Sequence, residues 1–101
     1  MMIHIFGFRW IGSASVEDRA RAVAEIAAFT GKIPGLAELH VGTNVSPRNC
    51  GYETAGVMKF ADVEAFNAYD AHPAHQALLS WLLPLIEPVE LDLLVREDAG
   101  A

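Results

Sequence analysis

Cysteine is almost missing from this chain. Cys50 is its one example in 101 residues, so no internal disulfide can form and a cysteine-ligated zinc centre is excluded. Cys50 falls in the polar stretch SPRNCGY and reads as an ordinary loop thiol, with Arg48 placed to make it somewhat more reactive. Basic residues are few as well: 7 Lys and Arg against 13 Asp and Glu leave a net charge of −6. An acidic surface repels phosphate, so neither nucleic acid nor an anionic membrane is an expected partner. No apolar run approaches the roughly 20 residues that a membrane-spanning helix needs. The opening MMIHIFGF lacks the basic start, the apolar length and the cleavage site of a secretory leader. The expected location is the cytoplasm. Familiar nucleotide and nucleophile motifs are also wanting. GKIPG is not a phosphate loop, GFRWIG is not a dinucleotide fingerprint, and Ser13, Ser15, Ser46 and Ser80 lack a nucleophile-elbow context.

Apolar residues, by contrast, make up 52% of the chain. Residues 1–101 suit a single domain, without repeats, linkers or low-complexity tracts. A domain of this size has little interior in which to hide so much apolar surface. Part of that surface is therefore expected to be covered by a second copy of the chain.

The order of elements follows from periodicity. Residues 3–10, IHIFGFRW, are β-branched and aromatic and predict a strand. Its alternation puts His4, Phe6, Phe8 and Trp10 on one face and Ile3, Ile5, Gly7 and Arg9 on the other. Ser15 with Asp18 resembles a capping box and opens a helix over about 16–30. Val16, Ala20, Val23 and Ala27 recur there at helical spacing, and Gly31 is a stop. Strands are predicted at 36–45, 52–60 and 88–96. Asp62 caps a helix to about 70. His72-Pro73 interrupts it, and a further helical segment runs from 73 to about 83, where Pro84 ends it. Residues 97–101 read as a tail, and the acidic pairs Glu17/Asp18 and Glu97/Asp98 as solvated surface. The order β-α-β-β-α-β predicts an α+β ferredoxin-like sandwich: a four-stranded antiparallel sheet with its two helices on one face. Because the first, third and last strands are apolar on both faces, the second face needs its own cover. Two sheets packed face to face in a twofold homodimer would supply it.

Chemistry is most concentrated in YDAHPAHQALL, residues 69–79. The helix starting near Pro73 puts His75, Leu78, Leu79 and Leu82 on one side, so His75 looks inward or into a cavity. His72 takes the N-cap position and Pro73 the first helical position. Tyr69, on the preceding turn, approaches His75 if the chain bends at His72-Pro73. A histidine moves protons near neutral pH, and a phenol can donate to a developing oxyanion. The same residues would serve equally as a helix start and a packed bend, and the spacing alone leaves both roles open. Phe6, Phe8 and Trp10 either line an apolar ligand pocket or build core or interface. His4, heading that row, needs a hydrogen-bond partner. His72 and His75 are three apart, but there is no HExxH, and His4 and His40 lie on different strands. No metal site and no cofactor are expected.

Four stretches together carry a resemblance: the opening MIHIFGFRW, the turn GKIPGL, the segment HVGTNVSPRNCGYE and, above all, FNAYDAHPAHQALLSWLLPLIE. They are similar to the stress-responsive A/B barrel (Dabb) family of the dimeric α/β barrel superfamily, through nearly the whole chain and in order. The resemblance implies a ferredoxin-like protomer pairing through its sheet into a barrel. Many members have no known reaction. A plant polyketide cyclase in the family closes an aromatic ring by aldol condensation without a cofactor, and its catalytic tyrosine and histidine lie in the same Y-x-x-H-P-x-H stretch. The resemblance thus implies that Tyr69 holds a substrate, His75 acts as base and His4 lines the pocket. A further pocket histidine of that enzyme, on the third strand, is replaced here near Thr54. The expected function is a dimeric protein binding a small hydrophobic ligand. The alternative is a cofactor-free cyclase, isomerase or lyase.

Overall fold

Alternation along the first strand decides which way the sheet faces. The computed structural model describes residues 1–96. It contains β1 (Met2–Trp10), α1 (Val16–Ala27), β2 (Leu36–Thr43), β3 (Thr54–Phe60), α2 (Val63–Asp70), α3 (Pro73–Leu82), a 3₁₀ turn (Leu83–Leu85) and β4 (Ile86–Leu94). The strands form one sheet in the order β2-β3-β1-β4, every neighbouring pair antiparallel. This is the expected ferredoxin-like sandwich, with its second helix broken into α2 and α3. The expected tail at 97–101 lies outside the described residues, as does the pair Glu97/Asp98.

One face of β1 carries Met2, His4, Phe6 and Phe8, all buried. They pack with Met58 and Phe60 of β3 against Ile26, Phe29, Tyr69, Leu78 and Leu82 from the helical layer. The opposite face has no helix on it. Cross-strand rows there run Leu93–Ile3–Lys59, Leu91–Ile5–Val57 and Val89–Gly7–Ala55. Leu91 and Leu93 are 56% and 48% exposed. The loop between β2 and β3 reaches one end of this face, where Tyr52 sits beside Gly7 under the Arg9 guanidinium.

Local chemistry fixes the helix ends. The Ser15 hydroxyl accepts from the Asp18 N–H, and the Asp18 carboxylate accepts from the Ser15 N–H, which completes the capping box. Asp62 accepts from the Ala65 N–H to start α2. His72 caps α3 through its ring: Nδ1 accepts from the Ala74 N–H at 3.0 Å, and Pro73 occupies the first turn. His72→Ala should therefore cost about 1 kcal/mol in urea unfolding, while His72→Asn, which can accept the same bond, should keep most of it.

Several boundaries move from their predicted places. α1 ends at Ala27 rather than near 30, and its buried stripe is Ala22 and Ile26, continued by Phe29. Val16, at 78% exposure, heads the other stripe, with Ala20 and Ala27 also exposed. Isoleucine and phenylalanine bury far more apolar area than alanine, so they set the helix rotation. β2 stops at Thr43 and β3 starts at Thr54, both inside the predicted limits. β4 begins two residues early, at Ile86, because the 3₁₀ turn feeds directly into it. Pro88 sits within the strand, which an edge position tolerates. Among the described residues no helix is long and apolar enough to cross a membrane.

Candidate active site

A cleft opens between α3 and the β1–β4 side of the sheet. Its enclosed volume is about 60 Å³, small beside the usual range for small-molecule sites, and it opens to solvent at its mouth. Its walls are apolar: Phe6, Phe8, Ile26, Leu78, Leu79, Leu82, Leu83, Ile86 and Pro88. Four side chains bring polar atoms to it: His4, Tyr69, His75 and Glu90. The helical spacing of His75, Leu78, Leu79 and Leu82 thus emerges as one wall of a cavity.

The bend at Ala71-His72 carries Tyr69 onto His75, with ring centroids 4.3 Å apart. The His75 ring is held from behind. Its Nδ1 lies 3.0 Å from the Asp70 carbonyl oxygen. A carbonyl only accepts, so Nδ1 carries the proton and Nε2 keeps its lone pair. This is the tautomer a general base requires. Gln76 donates to the same carbonyl and fixes it further.

Tyr69 is 5% exposed, wedged among Phe29, Phe60 and Phe66. Among the described residues nothing hydrogen-bonds its hydroxyl, and that oxygen is not a sealed, orphaned group. It belongs to the cleft wall. Burial first, then the Glu90 and Asp70 carboxylates, push the phenol well above its ordinary value. Tyr69 therefore stays protonated throughout the working pH range and remains a hydrogen-bond donor.

His4 has the partner its position demands. Its Nδ1 donates to the Asp92 carboxylate directly across the β1–β4 ladder. His4 is 5% exposed and stacks near Phe6 and Phe66. The carboxylate fixes its tautomer as the carbonyl of Asp70 fixes that of His75, leaving the His4 Nε2 as acceptor.

Of the residues singled out from sequence, Tyr69, His75, His4, Phe6 and Phe8 meet in this cleft. Trp10 does not. It shares their strand face but lies past the end of the cleft, where its indole donates to the Thr54 hydroxyl at 2.9 Å and its ring meets Phe8 edge-on. Thr54 is spent as that acceptor. His72 serves the helix cap, and Cys50 lies exposed in its loop. Asp92 and Glu90 are not among the residues that the sequence singles out. A signal for Asp92 exists all the same: antiparallel pairing of the first and last strands sets a β4 residue opposite His4, and a buried histidine needs an acceptor.

Comparison with known proteins places this geometry in context. The family model of the stress responsive A/B barrel domain matches residues 3–96. No curated protein matches the chain. Among solved structures, a dimeric ferredoxin-like protein of unknown function from Thermobifida fusca is similar at 23% identity and a TM-score of 0.82, covering 93% of this chain and 90% of that one. A hydroxynitrile lyase from Passiflora edulis is similar at 21% identity and a TM-score of 0.83, covering 95% and 94%. A cofactor-independent oxygenase from Streptomyces nogalater is similar at 18% identity and a TM-score of 0.73, covering 95% and 93%. At these identities the likeness is one of fold.

Proposed function

The chain belongs to the stress responsive A/B barrel domain family, and from that premise we propose a cytoplasmic homodimer whose protomers each bind a small hydrophobic carbonyl compound and transfer a proton on it. The observation that carries this reading is the shared cleft of Tyr69 and His75, with the His75 tautomer set by the Asp70 carbonyl. His75 Nε2 takes a proton from the carbon beside the carbonyl. The C–H electron pair moves to the carbonyl oxygen, and the Tyr69 hydroxyl donates to that developing oxyanion. The enolate then either recovers a proton elsewhere or attacks a second carbonyl, which gives isomerase or cyclase outcomes from one first step. A packed, dry interior would have favoured a purely structural pair; the open cleft favours chemistry.

The test is hydrogen–deuterium exchange on the carbon next to the carbonyl of phenylacetone, followed by NMR in deuterium oxide. The wild-type protein should accelerate exchange over buffer. Tyr69→Phe should lose roughly 10²-fold, the cost of removing one oxyanion donor. If neither this ketone nor a wider panel exchanges faster with the wild-type protein, the reading fails.

The dimer rests on the uncovered sheet face and on the dimeric relatives. Leu91→Asp would bury an unpaired carboxylate within that face. Light scattering should then show one chain instead of two. A Leu91→Asp protein that stays dimeric would move the interface elsewhere.

A further inference from the structure

Glu90 is exposed, and it brings a carboxylate to the mouth of the cleft. It stands on the helix-facing side of β4, opposite Phe6, in a cleft whose other walls are largely apolar. Among the described residues its carboxylate has no hydrogen-bond or ion-pair partner, and no lysine or arginine lines the cleft. Asp92, one step along the same face, is already engaged by His4. Tyr69, 5% exposed and with its hydroxyl unpartnered, shares the cleft with Glu90. An anionic ligand here would meet an uncompensated carboxylate with no cation to offset it. A cationic one would gain an ion pair at the mouth and aromatic faces further in.

We propose that Glu90 makes the cleft selective for ligands that carry a protonated amine on a small apolar body, and selective against carboxylates. The proposal rests on reading the cleft as a ligand site and goes beyond it by assigning the charge of the ligand. The carboxylate accepts from the ammonium group, while the apolar body lies along Phe6, Phe8 and the α3 leucines. Glu90 acts as a specificity-determining residue; it takes no part in the proton transfer assigned to His75.

Three probes of matched shape test it: 2-phenylethylamine, 2-phenylethanol and phenylacetate. They are titrated by NMR near neutral pH, where the amine is cationic and the acid anionic, with binding localised by the Tyr69 and His75 signals. The wild-type protein should bind the amine at least about tenfold more tightly than the alcohol, as a charge-assisted hydrogen bond supplies, and should not bind phenylacetate. Glu90→Gln should bring amine and alcohol to within about twofold, with alcohol affinity unchanged. Glu87→Gln alters net charge equally but on the opposite face of the same strand, and should keep the preference. Alcohol and acid binding as well as amine, or a preference that survives Glu90→Gln, overturns the charge assignment and leaves the cleft a ligand site. If none of the three probes shifts the cleft signals, the ligand-site reading fails with it.

Discussion

His75→Ala should leave a folded protein whose exchange rate on phenylacetone falls by roughly 10²- to 10⁴-fold, the range that a positioned general base contributes. The fold should survive because the ring sits on the cleft wall, and its removal forfeits one hydrogen bond to Asp70 and contact with Tyr69. Free imidazole added to the variant should restore part of the rate by occupying the vacated space, which a merely structural histidine would not allow. The pH profile offers an independent check. Tyr69 should impose no alkaline limb until above the ordinary tyrosine range, because its phenol is raised in the fold. The linked stability has a definite sign. A group whose value is raised on folding stabilises the protein fully below its unfolded value, about 10 for tyrosine, and that contribution fades as pH climbs beyond it. An unchanged exchange rate in His75→Ala would remove the base from the mechanism.

Gly56→Ala should lower stability by roughly 2–3 kcal/mol, as overpacking of a tight interior does. A Cβ at this position would lie 2.3 Å from the Phe6 ring and 2.7 Å from the backbone oxygen of His40. The ring could swing, but the oxygen belongs to the neighbouring strand of the ladder and cannot yield cheaply. In a chain this short the melting temperature should drop by about 10–20 °C. Gly42→Ala is the control. A Cβ there meets nothing within 4 Å, so this variant should be neutral or slightly more stable, since alanine narrows the unfolded ensemble. Equal melting temperatures for the two variants would refute the steric account. Phe6 is also a wall of the cleft, so a ring displaced by the new methyl group would reshape the ligand site as well.

Strand alternation and turn chemistry specify most of this fold on their own. IHIFGFRW defines both faces of β1, and Ser15, Asp62 and His72-Pro73 mark the helix starts. Helix rotation is harder to read. In α1, alanines occur on several sides, so Val16, Ala20, Val23 and Ala27 form as good a stripe as Ala22, Ile26 and Phe29, and only packing chooses between them. Loop limits near Thr43 and Thr54 depend on how Tyr52 and Asn44 fold back, which propensity does not encode. Of the cleft residues, Tyr69 and His75 stand out because one short chain segment holds them together. Asp92 and Glu90 do not, because their significance comes from a cross-strand register spanning nearly the whole sequence. Trp10 misleads in the other direction. Sharing a face with Phe8 is a matter of period two, while reaching the cleft depends on where along the strand the cleft ends.

β4 is an edge strand, and its outer backbone groups are open to any extended chain that could add to the sheet. Leu91, Leu93 and Leu94 would make it a good template for such growth. Pro88 removes one amide donor from the strand, and Glu87, Glu90 and Asp92 place three charges on it. Glu90, which brings a carboxylate to the cleft, therefore also acts as a gatekeeper against aggregation. Replacing Glu90 and Asp92 by apolar residues would strip the edge of two of its three carboxylates. Such variants should be lost first to insoluble assemblies during refolding at high concentration, whatever they gain in ligand affinity.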